Sequence, residues 1–221
     1  MVHVSSVPLP PADRGEILRY AGCRKPGPGE LELLESCLAE LGARLRGRVC
    51  WDCFQVTVLP DGGLDLGFAR TESKGLARRL NGCRACVVFA ATVGLEIDRL
   101  IARYGGASPA RSLFFQAIGA ERIEALCDAF CGQMTEDLAR QGRGVTVRFS
   151  PGYGDLPLAL QKDIFQVLDC SRKIGLTLNG SLLMSPSKSV TAIFGITDGS
   201  GEDCGRAGCA VCGKQDCAYR E

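Results

Sequence analysis

Apolar positions recur along the chain at two spacings, and the switches between them outline the elements. Residues 29–45 place Leu31, Leu34, Leu38, Leu41 and Leu45 three and four apart, which predicts a helix with one buried face. Over residues 50–59 the spacing drops to two, with Phe54, Val56 and Val58 on one side. Pro60, Asp61, Gly62 and Gly63 then make a turn, and residues 64–68 supply a partner run, so a hairpin is predicted here. Residues 73–80 read as a short basic helix, 84–92 as a buried strand and 94–104 as a helix. The longest helical stretch is 109–140. Pro109 suits its first turn, Ile123, Leu126, Phe130, Met134 and Leu138 form its later stripe, and Gly142 and Gly144 end it. Residues 145–149 read as a strand. Residues 156–170 read as a helix with Asp155 as N-cap and Leu160, Ile164, Val167 and Leu168 inward. Residues 189–196 alternate as a strand, and residues 1–12 read as a loose arm.

A hairpin mixed with helices points to an α+β fold rather than a regular βαβ series. After Asp198 the composition turns to Gly and Cys, which divides the chain into a main unit, 1–197, and a small Cys-rich appendage, 198–221. At 221 residues, 46% hydrophobic and 23% charged, the main unit can bury a core without disulfides or metal. Charge is nearly balanced, 26 Lys plus Arg against 25 Asp plus Glu, so bulk charge offers no hold on nucleic acid or a membrane surface. No segment reaches the ~20 apolar residues of a membrane-crossing helix. The first residues lack a secretory-signal pattern. A cytoplasmic location is the expectation.

Thirteen cysteines and one histidine, His3, change the picture. An odd count without a secretory signal argues against a disulfide framework. A single histidine in the arm removes Ser-His-Asp and Cys-His catalysis, and any transition-metal site must draw on thiolates or carboxylates. Cys204, Cys209, Cys212 and Cys217 form C-x4-C-x2-C-x4-C among glycines. Four thiolates so close suit structural zinc or an iron–sulfur cluster, and spacing does not separate the two. The remaining cysteines, among them Cys50, Cys53, Cys83, Cys86, Cys127 and Cys131, read as small buried apolar residues.

The segment VRFSPGYGDLPLALQ, residues 147–161, joins a strand to a helix through Pro151, Gly152 and Gly154 around Tyr153. Its spacing matches neither a P-loop nor a dinucleotide fingerprint. Taken alone it is either a sharp turn beside a surface arginine or a loop that brings backbone, the Arg148 fork and the Tyr153 ring to a ligand. Three blocks narrow the choice. RFSPGYGDLP resembles the R-x-x-x-G-Y motif of the activation domain of cobalamin-dependent methionine synthase, with Arg148, Gly152 and Tyr153 on the motif positions. GLTLNGSLLMSPSKSVTA, residues 175–192, resembles that family's second signature at Leu178, Ser181, Met184, Pro186, Ser189 and Val190. AERIEALCD, residues 120–128, resembles the helix that carries its acidic ligand. Asn179 and Gly180 depart from the family's Thr and Glu, and its closing His-Pro pair is absent.

The resemblance implies a mixed or antiparallel twisted sheet with flanking helices, and a site for S-adenosylmethionine. It implies that Glu124 meets the ligand's ammonium, with Glu121 one turn earlier as a substitute. Arg148 would serve its carboxylate, Gly152 would let the backbone bend around it, and Tyr153, as the group nearest the chemistry, would face a corrin. The implied role is a module that reactivates a cobalamin-dependent methionine synthase or related corrinoid methyltransferase by reductive methylation of cob(II)alamin. Any turnover would fall in the methyltransferase class. Cobalamin would sit on a partner chain, and an electron donor is a further implied partner. The alternatives from the residues are a metal-bearing or iron–sulfur electron-transfer or assembly protein, and a ligand sensor without turnover.

Overall fold

The computed structural model describes residues 1–60 and 62–199. In chain order, β1 (His3–Ser6), α1 (Arg14–Tyr20) and α2 (Pro28–Leu41) precede β2 (Arg48–Gln55). The short strands β3 (Thr57–Val58), β4 (Leu64–Asp65) and β5 (Arg70–Thr71) and helix α3 (Lys74–Arg79) follow. Then come β6 (Ala85–Thr92), α4 (Glu96–Tyr104), α5 (Pro109–Ala139) and β7 (Arg143–Val145). A 3-10 turn, Leu158–Leu160, leads into α6 (Gln161–Leu168) and α7 (Cys170–Ile174). The hairpin β8 (Thr177–Leu178) and β9 (Met184–Ser185) precedes β10 (Ser189–Asp198).

Five strands form one antiparallel sheet in the order β1-β2-β6-β10-β7. β6 and β10 sit at its centre, and their two-residue alternation sends side chains to two separate cores. Val87, Phe89, Ala91, Ala192, Phe194 and Ile196 face the second half of α5. Phe130 of α5 reaches down to Phe89, with ring centroids 5.0 Å apart and tilted by 50°. On the opposite side Cys86, Val88, Ala90 and Ile193 pack against Leu76 of α3, Leu80 at its C-terminal end, and Leu160, Ile164 and Leu168 around α6. The first half of α5, with Phe114, Phe115 and Ile118, makes a third core with α1, α2 and α4. At 31 residues α5 is long enough to span both regions.

Four expectations change. The arm at residues 1–12 is not loose: β1 adds an edge strand to β2, and His3 stacks on Trp51 with centroids 4.4 Å apart. The run 50–59 is two strands. Its first part, β2, pairs with β1 and β6, and only Thr57 and Val58 enter the predicted hairpin with β4. The strand at 145–149 ends early, at Val145. The helix at 156–170 begins only with the 3-10 turn, breaks at Asp169, which has φ 49°, and continues as α7. Asp155 does not cap it; its carboxylate bonds to α3 instead. No helix among the described residues is long and apolar enough to cross a membrane.

Candidate functional site

Arg148 and Glu124 come together where β7 leaves the sheet. Val145 pairs with Ile196, and four residues later Phe149 pairs with Ile193, only three residues back along β10. One extra residue is therefore accommodated on the β7 side, which is a β-bulge. Thr146 makes it possible. Its N–H donates to the Gly195 carbonyl at 3.0 Å, while its Oγ1 accepts the Gly195 N–H at 2.8 Å. The hydroxyl thus replaces a missing backbone acceptor. The bulge flips the alternation. Val145 packs in the core under α5, Phe149 packs on the opposite side of the sheet, and Arg148 points at α5.

Arg148 is buried, its side chain 6% exposed, and both terminal nitrogens are engaged by α5. Nη2 donates to Glu124 Oε2 at 2.9 Å and Nη1 to Asp128 Oδ1 at 2.5 Å, with Cys131 Sγ 3.9 Å from Nη1. Glu124 and Asp128 lie one helical turn apart, so one guanidinium reaches both. Burial opposes the charge on Arg148, yet its pKa moves above the ordinary arginine value. We assign the rise to Asp128, because burial pushes the nearby Cys127 thiol well above its usual range and leaves it uncharged. The acids keep contact with water, at 27% exposure for Glu124 and 53% for Asp128. The result is a half-open face of two carboxylates backed by one buried cation.

Glu121, the other acid of the same helix block, is closed. It is 5% exposed, holds Arg122 through both oxygens and accepts the Asp13 N–H at 3.1 Å. Asp128 was not singled out by sequence reasoning, although its spacing of four from Glu124 was visible.

Downstream of Phe149 the chain turns sharply. Gly152 has φ 89° and Gly154 φ 56°, conformations that favour glycine. The Gly152 N–H donates to the Leu156 carbonyl at 2.9 Å and the Tyr153 N–H to the Ser150 carbonyl at 3.1 Å. Between the two glycines Tyr153 stands 67% exposed on the surface. Arg148 and Glu124 are therefore brought into contact, while Tyr153 is outside their hydrogen-bonded cluster. Asn179, at the position where the resembled family has a polar pair, holds the β8–β9 hairpin, its Oδ1 accepting the Ser181 and Leu183 N–H groups at 2.9 Å each. Two hollows, of about 620 and 650 Å³, lie elsewhere. The first is bordered by Leu64, Arg70 and Lys162, the second by Pro8, Leu41 and Arg122.

Cys204, Cys209, Cys212 and Cys217 lie outside the described residues. Among the described residues no group of three or more His, Cys, Asp or Glu is arranged to hold a metal ion. Most of the other cysteines are buried; Cys53 is exposed and Cys23 half-buried, against the expectation for both. Burial pushes Cys86 up to about 12, so it is a neutral packing residue.

No family model matches the sequence, and no curated protein does. Among solved structures, the chain is similar to the crystal structure of the MetH reactivation domain bound to AdoHcy. The identity is 20% and the TM-score 0.60, over 88% of this chain and 78% of that one. The likeness is one of fold: an antiparallel sheet flanked by helices.

Proposed function

We propose that this chain binds S-adenosylmethionine on the face built by Glu124, Asp128 and Arg148 and acts as a reactivation module for a corrinoid-dependent methionine synthase or related methyltransferase. The observation that carries the reading is the half-open cluster itself, set by a bulge at the start of an R-x-x-x-G-Y segment. It occurs in a fold like that of a domain solved with S-adenosylhomocysteine.

The chemistry of the donors suits this ligand. S-adenosylmethionine carries an ammonium and a sulfonium, both cations, and two partly hydrated carboxylates can meet such charge without the full cost of an unpaired buried ion. The Arg148 guanidinium is occupied by the two acids, so in this reading it orients them rather than serving the ligand's carboxylate. Tyr153, exposed beside Gly152, offers a flat ring to whatever closes over the ligand. The chain would bind and orient the methyl donor, a positioning role that needs no acid–base group. The corrinoid and the electron donor belong to partner chains. The four tail cysteines would hold zinc or an iron–sulfur cluster, a question settled by metal analysis and an anaerobic absorption spectrum.

The test is calorimetry with S-adenosylmethionine and S-adenosylhomocysteine. Binding to the wild type that weakens about tenfold or more in Glu124→Gln and in Asp128→Asn, with unfolding still cooperative, is the expected result. Equal binding by wild type and both variants would remove the site from this face. The reactivation role is then tested by adding the chain, with a reductant, to an oxidised corrinoid methyltransferase and following recovery of activity.

A further inference from the structure

Asp155 stands at the entry to the 3-10 turn and α6, yet its carboxylate is spent on a helix eighty residues back. Ser73 Oγ donates to its Oδ1 at 2.6 Å. The Lys74 N–H donates to Oδ2 at 2.6 Å, and the Gly75 N–H lies 3.1 and 3.3 Å from the two oxygens. Ser73 already caps α3 in the usual way, accepting the Leu76 N–H at 3.0 Å. Asp155 therefore takes the first-turn donors that Ser73 leaves, and it takes them from another part of the chain.

The contact holds in both directions. α3 is seated in the core by Leu76 and Leu80, both fully buried. It presents three surfaces to residues 149–155. The first is the donor set for Asp155. The second is Gly75, where a Cβ would come within 2.9 Å of Asp155 Oδ1 and 3.1 Å of Phe149 Cζ. The third is Arg79, whose guanidinium lies 5.2 Å from the centroid of the Phe149 ring. The turn between these anchors has two residues at positive φ and little intrinsic preference of its own. Its own backbone bonds, Gly152 N–H to the Leu156 carbonyl and Tyr153 N–H to the Ser150 carbonyl, close it locally, and α3 anchors it to the core.

We propose that Asp155 is a positioning residue: by capping α3 at a distance it fixes the Gly152–Tyr153 turn, and with it the exposed Tyr153 ring, at the end of the segment that begins with Arg148. This inference rests on the reading of the Glu124, Asp128 and Arg148 face as an S-adenosylmethionine site.

The experiment uses full-length protein labelled with 3-fluorotyrosine. The chain has four tyrosines, and the Tyr153 fluorine resonance is assigned by its loss in Tyr153→Phe. In Asp155→Asn the Tyr153 resonance should shift or broaden while those of Tyr20 and Tyr104 stay in place. The Kd for S-adenosylmethionine should rise about tenfold. Gly75→Ala, which pushes on the same contact from α3, should do the same. An unchanged Tyr153 resonance in both variants overturns the proposal. So does movement of the Tyr20, Tyr104 and Tyr153 signals together, which would mean general loosening. If the wild type does not bind S-adenosylmethionine at all, the functional reading falls, and the fluorine spectra still decide whether Asp155 orders the turn.

Discussion

Two arginines on the α5 side of the molecule are equally buried and differently built in. Arg122 and Glu121 pair with their side chains 7% and 6% exposed, and the remaining Arg122 donors go to the carbonyls of Pro10 and Pro11. Every partner there comes from the chain, so the pair fastens residues 10–13 to α5 and has no capacity left for a ligand. Arg148 is as well covered, but its acids reach water. A closed ion pair is a staple, and one that opens on one side can trade water for a cation. Burial of the arginine does not tell the two apart; exposure of its partners does.

The comparison can be broken most directly at the closed pair. Glu121→Ala leaves Arg122 charged and buried, so we expect a loss of about 3–5 kcal/mol in urea unfolding, with S-adenosylmethionine affinity unchanged in the folded protein. If affinity falls instead, the staple is part of the site. Arg148→Met should cost less stability, about 1–3 kcal/mol, because Glu124 and Asp128 can rehydrate, but it should weaken ligand binding about tenfold or more. Asp128→Asn, at the most exposed acid of the cluster, should change stability by no more than about 1 kcal/mol while still weakening the ligand. A larger stability effect than for Glu121→Ala would reverse the assignment of staple and site.

The smallest effect concerns pH. The Ser73 hydroxyl and then the Gly75 and Lys74 amides hold the Asp155 carboxyl below its usual range. A depressed folded pKa contributes stability above the ordinary aspartate pKa and loses it as pH falls through the folded value. Wild type and Asp155→Asn should therefore differ in melting temperature at neutral pH and converge below about pH 4. A gap that persists in acid would mean that the charge on Asp155 is not what grips α3.

Legibility in the sequence followed the range of the interaction. The stripe from Ile123 to Leu138, the buried run of β6 and the alternation of β10 were readable because period and burial are local matters. That Arg148 and Glu124 belong to one site was suggested only through motif likeness, each toward a different end of a ligand; their direct contact, across twenty-four residues, had no signal. Asp128 carried a usable signal in its i+4 spacing from Glu124, but acids at that spacing are common on solvated helices. The extra residue at Thr146 had no signal at all. Val145, Val147 and Phe149 alternate as a plain strand, and that pattern would have put Arg148 on the wrong side of the sheet.

The linear order of residues was enough to determine which segments could be helix or strand, which faces were apolar, and that a glycine-bracketed tyrosine followed an arginine. Those properties depend on neighbours a few positions away. Only the folded arrangement decided that Thr146 would substitute its hydroxyl for a backbone acceptor, that Arg148 would turn inward onto two acids, that Asp155 would cap a distant helix, and that Glu121 would be sealed while Glu124 stayed open. Each of these is a choice of hydrogen-bond partner across long stretches of chain, settled by which donors and acceptors packing leaves within reach.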